Sequence, residues 1–70
     1  MNDYTFDFGM NGKAINQSAL DDELRVVLGV NTVLGTTVVW KDAASFLAGS
    51  VIVHCSRQLT QEELNVIAGI

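Results

Sequence analysis

The chain has 70 residues, 49% hydrophobic and 17% charged, with eight acidic against four basic side chains and a formal net charge of −4. That length admits one core and excludes a second domain. Lys13, Arg25, Lys41 and Arg57 are scattered singly along an acidic chain, which excludes the clustered cations that a nucleic-acid partner requires.

The first predicted element is a strand. Tyr4, Phe6 and Phe8 alternate with Thr5 and Asp7, the two-residue period of a strand with one buried face. Gly9-Met10-Asn11-Gly12 then reads as a turn, because asparagine and glycine both tolerate positive φ. Lys13 to Ile15 either pairs back briefly or leads into a helix. That helix is marked by Leu20, Leu24, Val27 and Leu28 on one face, with Asp21, Asp22, Glu23 and Arg25 on the rest. Its cap is either Asn16, which would let Ile15 staple onto Leu20, or Ser18, with Asp21 three residues on. The acids are expected in the opening turns, where the helix dipole favours them; Asp21 and Arg25 are spaced to pair, and Gly29 is the natural stop.

Val30 to Leu34 is short and apolar, and reads equally as a packed loop or a strand. Thr36 to Lys41 is β-branched and aromatic, and Ser50 to Ser56 contains the run Val51-Ile52-Val53; both are predicted strands and antiparallel neighbours. The intervening Lys41 to Gly49 is long for a tight hairpin, and Ala43, Ala44, Phe46, Leu47 and Ala48 fit a single helical turn. The last element carries the clearest local code. Thr60 with Glu63 makes a capping box, Leu59 with Leu64 a hydrophobic staple, and Leu64, Ile67 and Ala68 an inner stripe widened by Val66 and Ile70. The order is β-α-(β)-β-β-α. It predicts one α+β domain over residues 1–70, a small antiparallel sheet of three to four strands with two helices packed on one face.

A domain this short buries only about 60% of the surface its unfolded chain exposes, so it needs help from a disulfide, a metal or association. The single cysteine, Cys55, makes no intrachain bridge and fits a reducing compartment, and one cysteine with one histidine does not close a zinc site. Association remains. The apolar excess predicts a protein partner or self-association, as a homo-oligomer or part of a larger assembly. The run from Val26 to Trp40 is interrupted by glycine, asparagine and threonine, so no membrane span is expected; the first residues lack the basic and apolar regions of a signal peptide, so secretion by that route is not expected either.

No motif points to a reaction, and no catalytic, cofactor-binding or metal residue is predicted. His54 beside Cys55 suggests an activated thiol, but neighbours on a strand point to opposite faces, so a packed thiol and a structural or surface histidine are expected. Asp21, Asp22, Glu23, Glu62 and Glu63 are accounted for by helix dipoles, and the glycines lack phosphate-loop spacing. Val38-Val39-Trp40 and Val51-Ile52-Val53 have no alternating polar partner, which predicts strands covered on both faces. Two helices cover one face, so the other is expected to meet a second molecule, through Trp40, Val39, Ile52 and Phe46.

Ser18-Ala19-Leu20-Asp21-Asp22-Glu23-Leu24-Arg25, the strand Val51-Ile52-Val53-His54 and the helix start Leu59-Thr60-Gln61-Glu62-Glu63-Leu64 resemble segments of small proteins encoded in tailed-bacteriophage and prophage structural gene clusters. The resemblance implies a virion or assembly component without catalysis, placed in the host cytoplasm during assembly or in the virion. A second expectation is a small acidic regulatory or inhibitor domain that binds a host protein through its helix starts.

Overall fold

A computed structural model describes residues 2–69. The alternating aromatic run forms β1 (Asn2–Asp7), and the chain then turns into a two-residue β2 (Lys13–Ala14). The turn is pinned at its start by the Gly9 N–H, which donates to the Asp7 carboxylate at 2.7 Å. At its end Gly12 has φ +71°, and a Cβ there would lie 2.9 Å from the Ala48 carbonyl oxygen. Any other residue would push β2 away from its partner strand.

Helix α1 (Gln17–Leu28) starts at Asn16, whose carboxamide accepts the Ala19 N–H at 3.3 Å, so Asn16 and not Ser18 is the cap. With the helix beginning at Gln17, Asp21, Asp22 and Glu23 all fall beyond the first turn, where the dipole no longer accounts for them. Among the described residues Asp21 forms no ion pair with Arg25; it accepts the hydroxyl of Thr36. The buried stripe is also narrower than the periodicity predicts. Leu24 and Leu28 are buried and Leu20 packs against the core, but Val27 is 46% exposed.

Val33 and Leu34 join the next strand, β3 (Val33–Asp42), while 30–32 form a turn closed by Thr32 N–H to the Gly29 carbonyl. A short 3₁₀ turn, Ala43–Ser45, leads into β4 (Leu47–Cys55). Helix α2 (Gln61–Ala68) opens with both halves of the capping box formed, Glu63 N–H to the Thr60 hydroxyl at 3.2 Å and Thr60 N–H to the Glu63 carboxylate at 3.0 Å. Leu59 is buried before it, and its N–H donates to the Tyr4 hydroxyl at 2.8 Å, tying the helix entrance to β1. Ile67 is buried and Leu64 packs on the core, whereas Val66 and Ala68 face solvent; Ile70 lies outside the described residues.

Strand β4 is the centre of the four-stranded antiparallel sheet. β3 pairs along its whole length, so β2, which pairs with Leu47 and Ala48, shares the opposite edge with β1, which pairs with Ser50 to Cys55. Val51, Val53 and Cys55 point to the helices and are at most 2% exposed, forming the core with Leu24, Leu28, Val33, Leu59 and Ile67. The other face is open, but it is not the continuous apolar surface predicted from the valine runs. Flanking strands bring Asp3, Thr5, Asp7 and Thr37 beside Ile52 and His54, so the alternation missing within β4 is supplied across the sheet.

The hydrogen-bond phase decides which backbone groups the edges expose. Phe8 N–H donates to the Gly49 carbonyl and Ser56 N–H to the Thr32 carbonyl, so between Gly49 and Cys55 the odd residues of β4 bond to β1 and the even residues to β3. Thr36 and Val38 therefore direct their backbone groups out of the sheet edge. The Gln17 amide of α1 donates to the Thr36 carbonyl at 3.0 Å and covers part of that edge.

Candidate functional site

The chain's only histidine stands on the open face near the end of the central strand, where the register places Asp3 directly opposite it on β1 and Gly35 opposite it on β3. His54 Nδ1 lies 2.9 Å from an Asp3 carboxylate oxygen, and Nε2 lies 2.8 Å from the Thr37 hydroxyl. An ionised carboxylate only accepts, so Nδ1 carries a proton; in the neutral ring Nε2 then accepts the Thr37 hydroxyl proton. The result is a carboxylate–imidazole–hydroxyl row that crosses all three strand positions. Asp3 is 45% and His54 28% exposed, so the row is solvated and sits on an open surface.

Acid, imidazole and hydroxyl stand here in the order of a nucleophile relay, but such a relay also needs donors aimed at a developing oxyanion and a cavity to hold the substrate. Neither of the two recesses below is lined by Asp3, His54 or Thr37. The row links three strands, and both ring nitrogens are bonded, which fixes the ring and its tautomer.

Cys55 points the opposite way, into the core, at 1% exposure. Burial pushes its thiol pKa up, with nearby Arg57 partly opposing and Asp3 and Glu63 adding to the rise. His54 and Cys55 therefore do not meet, as strand geometry predicts. Among the described residues no group of three or more His, Cys, Asp or Glu side chains is placed to hold a metal ion. No helix among them is long and apolar enough to cross a membrane.

The four predicted contact residues divide between two places. Val39, 52% exposed, and Ile52, half-buried, lie on the open face. Trp40 packs against the core from the helix side, and the ring of Phe46 meets it edge-on with centroids 6.2 Å apart. Phe46 is 63% exposed and holds a left-handed conformation, φ +55°, at the turn into β4. Trp40 and Phe46 line a groove of about 620 Å³ with Ile15, Asn16, Gln17 and Ser45. A second recess of about 300 Å³ lies between Leu20 of α1 and Ile67 of α2, floored by Phe6, Phe8, Val51 and Val53.

Near the start of α2, Arg57 makes a two-pronged ion pair with Glu63, at 2.8 and 2.6 Å. That pair and the Thr60 N–H hold the Glu63 carboxyl down at about 2, and the same hydrogen bond raises Arg57. Sequence reasoning found the capping box but not Arg57, and it weighed His54 against Cys55 but not against Asp3 or Thr37. A signal existed in each case, a cation three residues before the cap and polar residues alternating along β1 and β3; using it required the strand order. No family model matches the chain, and no curated protein and no solved structure matches it.

Proposed function

We propose that the chain is a non-catalytic structural or assembly protein that works through protein–protein contact, as a homo-oligomer or on a larger assembly, of the kind found in phage virions and prophage structural clusters. The observation that carries this reading is the number of large apolar side chains left in water. Met10, Val26, Val30, Leu34, Val39 and Phe46 are each more than half exposed, between 52% and 87%. Scattered single residues of this type are ordinary, but Val26 lies in the last turn of α1, Val30 follows its Gly29 cap, and Leu34 stands near the start of β3, so three of them fall within nine residues around one chain reversal. The phage assignment is supported by the segments around α1, β4 and α2 that resemble proteins of such clusters.

Light scattering across a wide concentration range tests the contact reading. A concentration-dependent oligomer that is weakened by the Val26→Ser/Val30→Ser double substitution supports it. A monomer at every concentration that binds no hydrophobic dye argues against it.

A second reading, an acidic regulatory domain that binds a basic host protein, is favoured by one observation. Asp22 and Glu23 are exposed and lie beyond the reach of the α1 dipole, so helix formation does not explain them. A one-to-one complex with a basic protein, lost as salt rises, would favour this reading over the first.

A further inference from the structure

The Asn11-Gly12 turn between β1 and β2 has a chemistry of its own. The chain holds five asparagines, and only Asn11 is followed by glycine. Their surroundings differ. The Asn16 carboxamide is committed to capping α1 and the Asn65 carboxamide accepts the Gln61 amide at 3.1 Å, while Asn2 lies within β1. Asn11 is exposed, belongs to no helix or strand, and precedes a residue with no Cβ to shield its backbone nitrogen.

We propose that Asn11 is a self-modification site, converting through a cyclic imide to aspartate and isoaspartate. The Gly12 backbone nitrogen, on losing its proton to a base in solution, attacks the Asn11 side-chain carbonyl carbon. An N–C bond forms, the C–N bond to the side-chain amino group breaks, and that group leaves as ammonia with a proton from water. Water then opens the five-membered imide at either carbonyl. Opening at the backbone carbonyl moves the main chain onto the side-chain carbon and gives isoaspartate; opening at the other gives aspartate.

Both products add one negative charge to a chain already at −4. Isoaspartate also lengthens the backbone by one carbon, directly before the glycine whose missing Cβ lets the chain lie close to the Ala48 carbonyl. β2 holds only two residues in register, Lys13 with Ala48 and Ala14 with Leu47, so it has little pairing to resist the displacement. Ala14 and Ile15 border the groove that contains Trp40, so the modified turn reshapes that groove's rim.

The test is to incubate the folded chain in mildly alkaline buffer and follow it by anion exchange and peptide mapping, with Asn11→Gln and Asn11→Asp variants in parallel. The expected result is a more acidic species, heavier by about one mass unit, that maps to Asn11, yields an isoaspartate peptide, forms faster as pH rises and is missing from Asn11→Gln. Asn11→Asp carries the charge from the start without the added carbon. Its Trp40 emission should match the unaged wild type, while the aged wild type shifts to the red. The proposal is overturned if Asn11 stays intact while it reacts in the urea-unfolded chain, which would mean that the turn geometry blocks the attack. It is equally overturned if Asn2 or Asn31 reacts as fast.

Discussion

His54 has two hydrogen bonds on a surface where water competes for both. An exchange of protein for water partners leaves each bond with a small net value, yet the ring joins Asp3 of β1 to Thr37 of β3 across the central strand. His54→Ala should therefore cost about 0.5–1.5 kcal/mol, read from the urea midpoint at neutral pH. Thr37→Val should cost less, because it leaves the Asp3 bond in place. A His54→Ala variant as stable as the parent would mean that the row is held passively by the sheet. At the same scale, Asp21 illustrates how a local rule is overruled. Its spacing to Arg25 is right for a helix pair, but β3 brings the Thr36 hydroxyl within reach, and the carboxylate takes the tertiary partner.

The second helix is short, and its start carries most of its local definition. Eight residues are too few for a stable helix in water, so α2 depends on its cap and on Leu59, Leu64 and Ile67 against the sheet. Glu63 closes the capping box and pairs with Arg57, and both interactions require the ionised carboxylate. Its folded value of about 2 lies below the ordinary 4.5. A group depressed on folding contributes stability above its unfolded value and loses it as pH falls through the folded one. Acidification from pH 4.5 toward 2 should therefore lower the urea midpoint, and Glu63→Gln should flatten that part of the profile relative to the parent while lowering stability at neutral pH. An unchanged slope in the variant would place the acid sensitivity in other carboxylates. For β3, the backbone groups of Thr36 and Val38 would be free to pair with another chain, and Gln17 reaching around from α1 covers one of them.

Across the whole molecule, the core is thin and lies wholly on the helix side of β4. Cys55 is within it, at the end of the central strand and paired with both Asn2 and Val33. Its thiol is buried and its pKa raised, so both access and ionisation oppose reaction with an alkylating reagent. Labelling should be slow in native buffer and should accelerate in step with the urea unfolding curve. Fast labelling without denaturant would mean that the α2 end opens separately from the rest. The apolar excess, predicted to sit on the second face of the sheet, has Val39 there but lies otherwise around the end of α1, near the start of β3 and at the two turns that carry Met10 and Phe46.

By itself the sequence determined whatever depends on neighbours along the chain. The alternation of Tyr4, Phe6 and Phe8, the stripe of Leu20, Leu24 and Leu28, the Thr60–Glu63 box and the opposed directions of His54 and Cys55 were all legible, because backbone periodicity and capping act over a few residues. So was the α+β layering. Only the tertiary structure decided what lies between strands: that β4 is central, that Asp3 and Thr37 flank His54, that Trp40 turns inward while Val39 turns out. The physical reason is that side chains on one strand alternate whatever the sheet order, whereas the partner that each one meets is set by register between segments far apart in the chain.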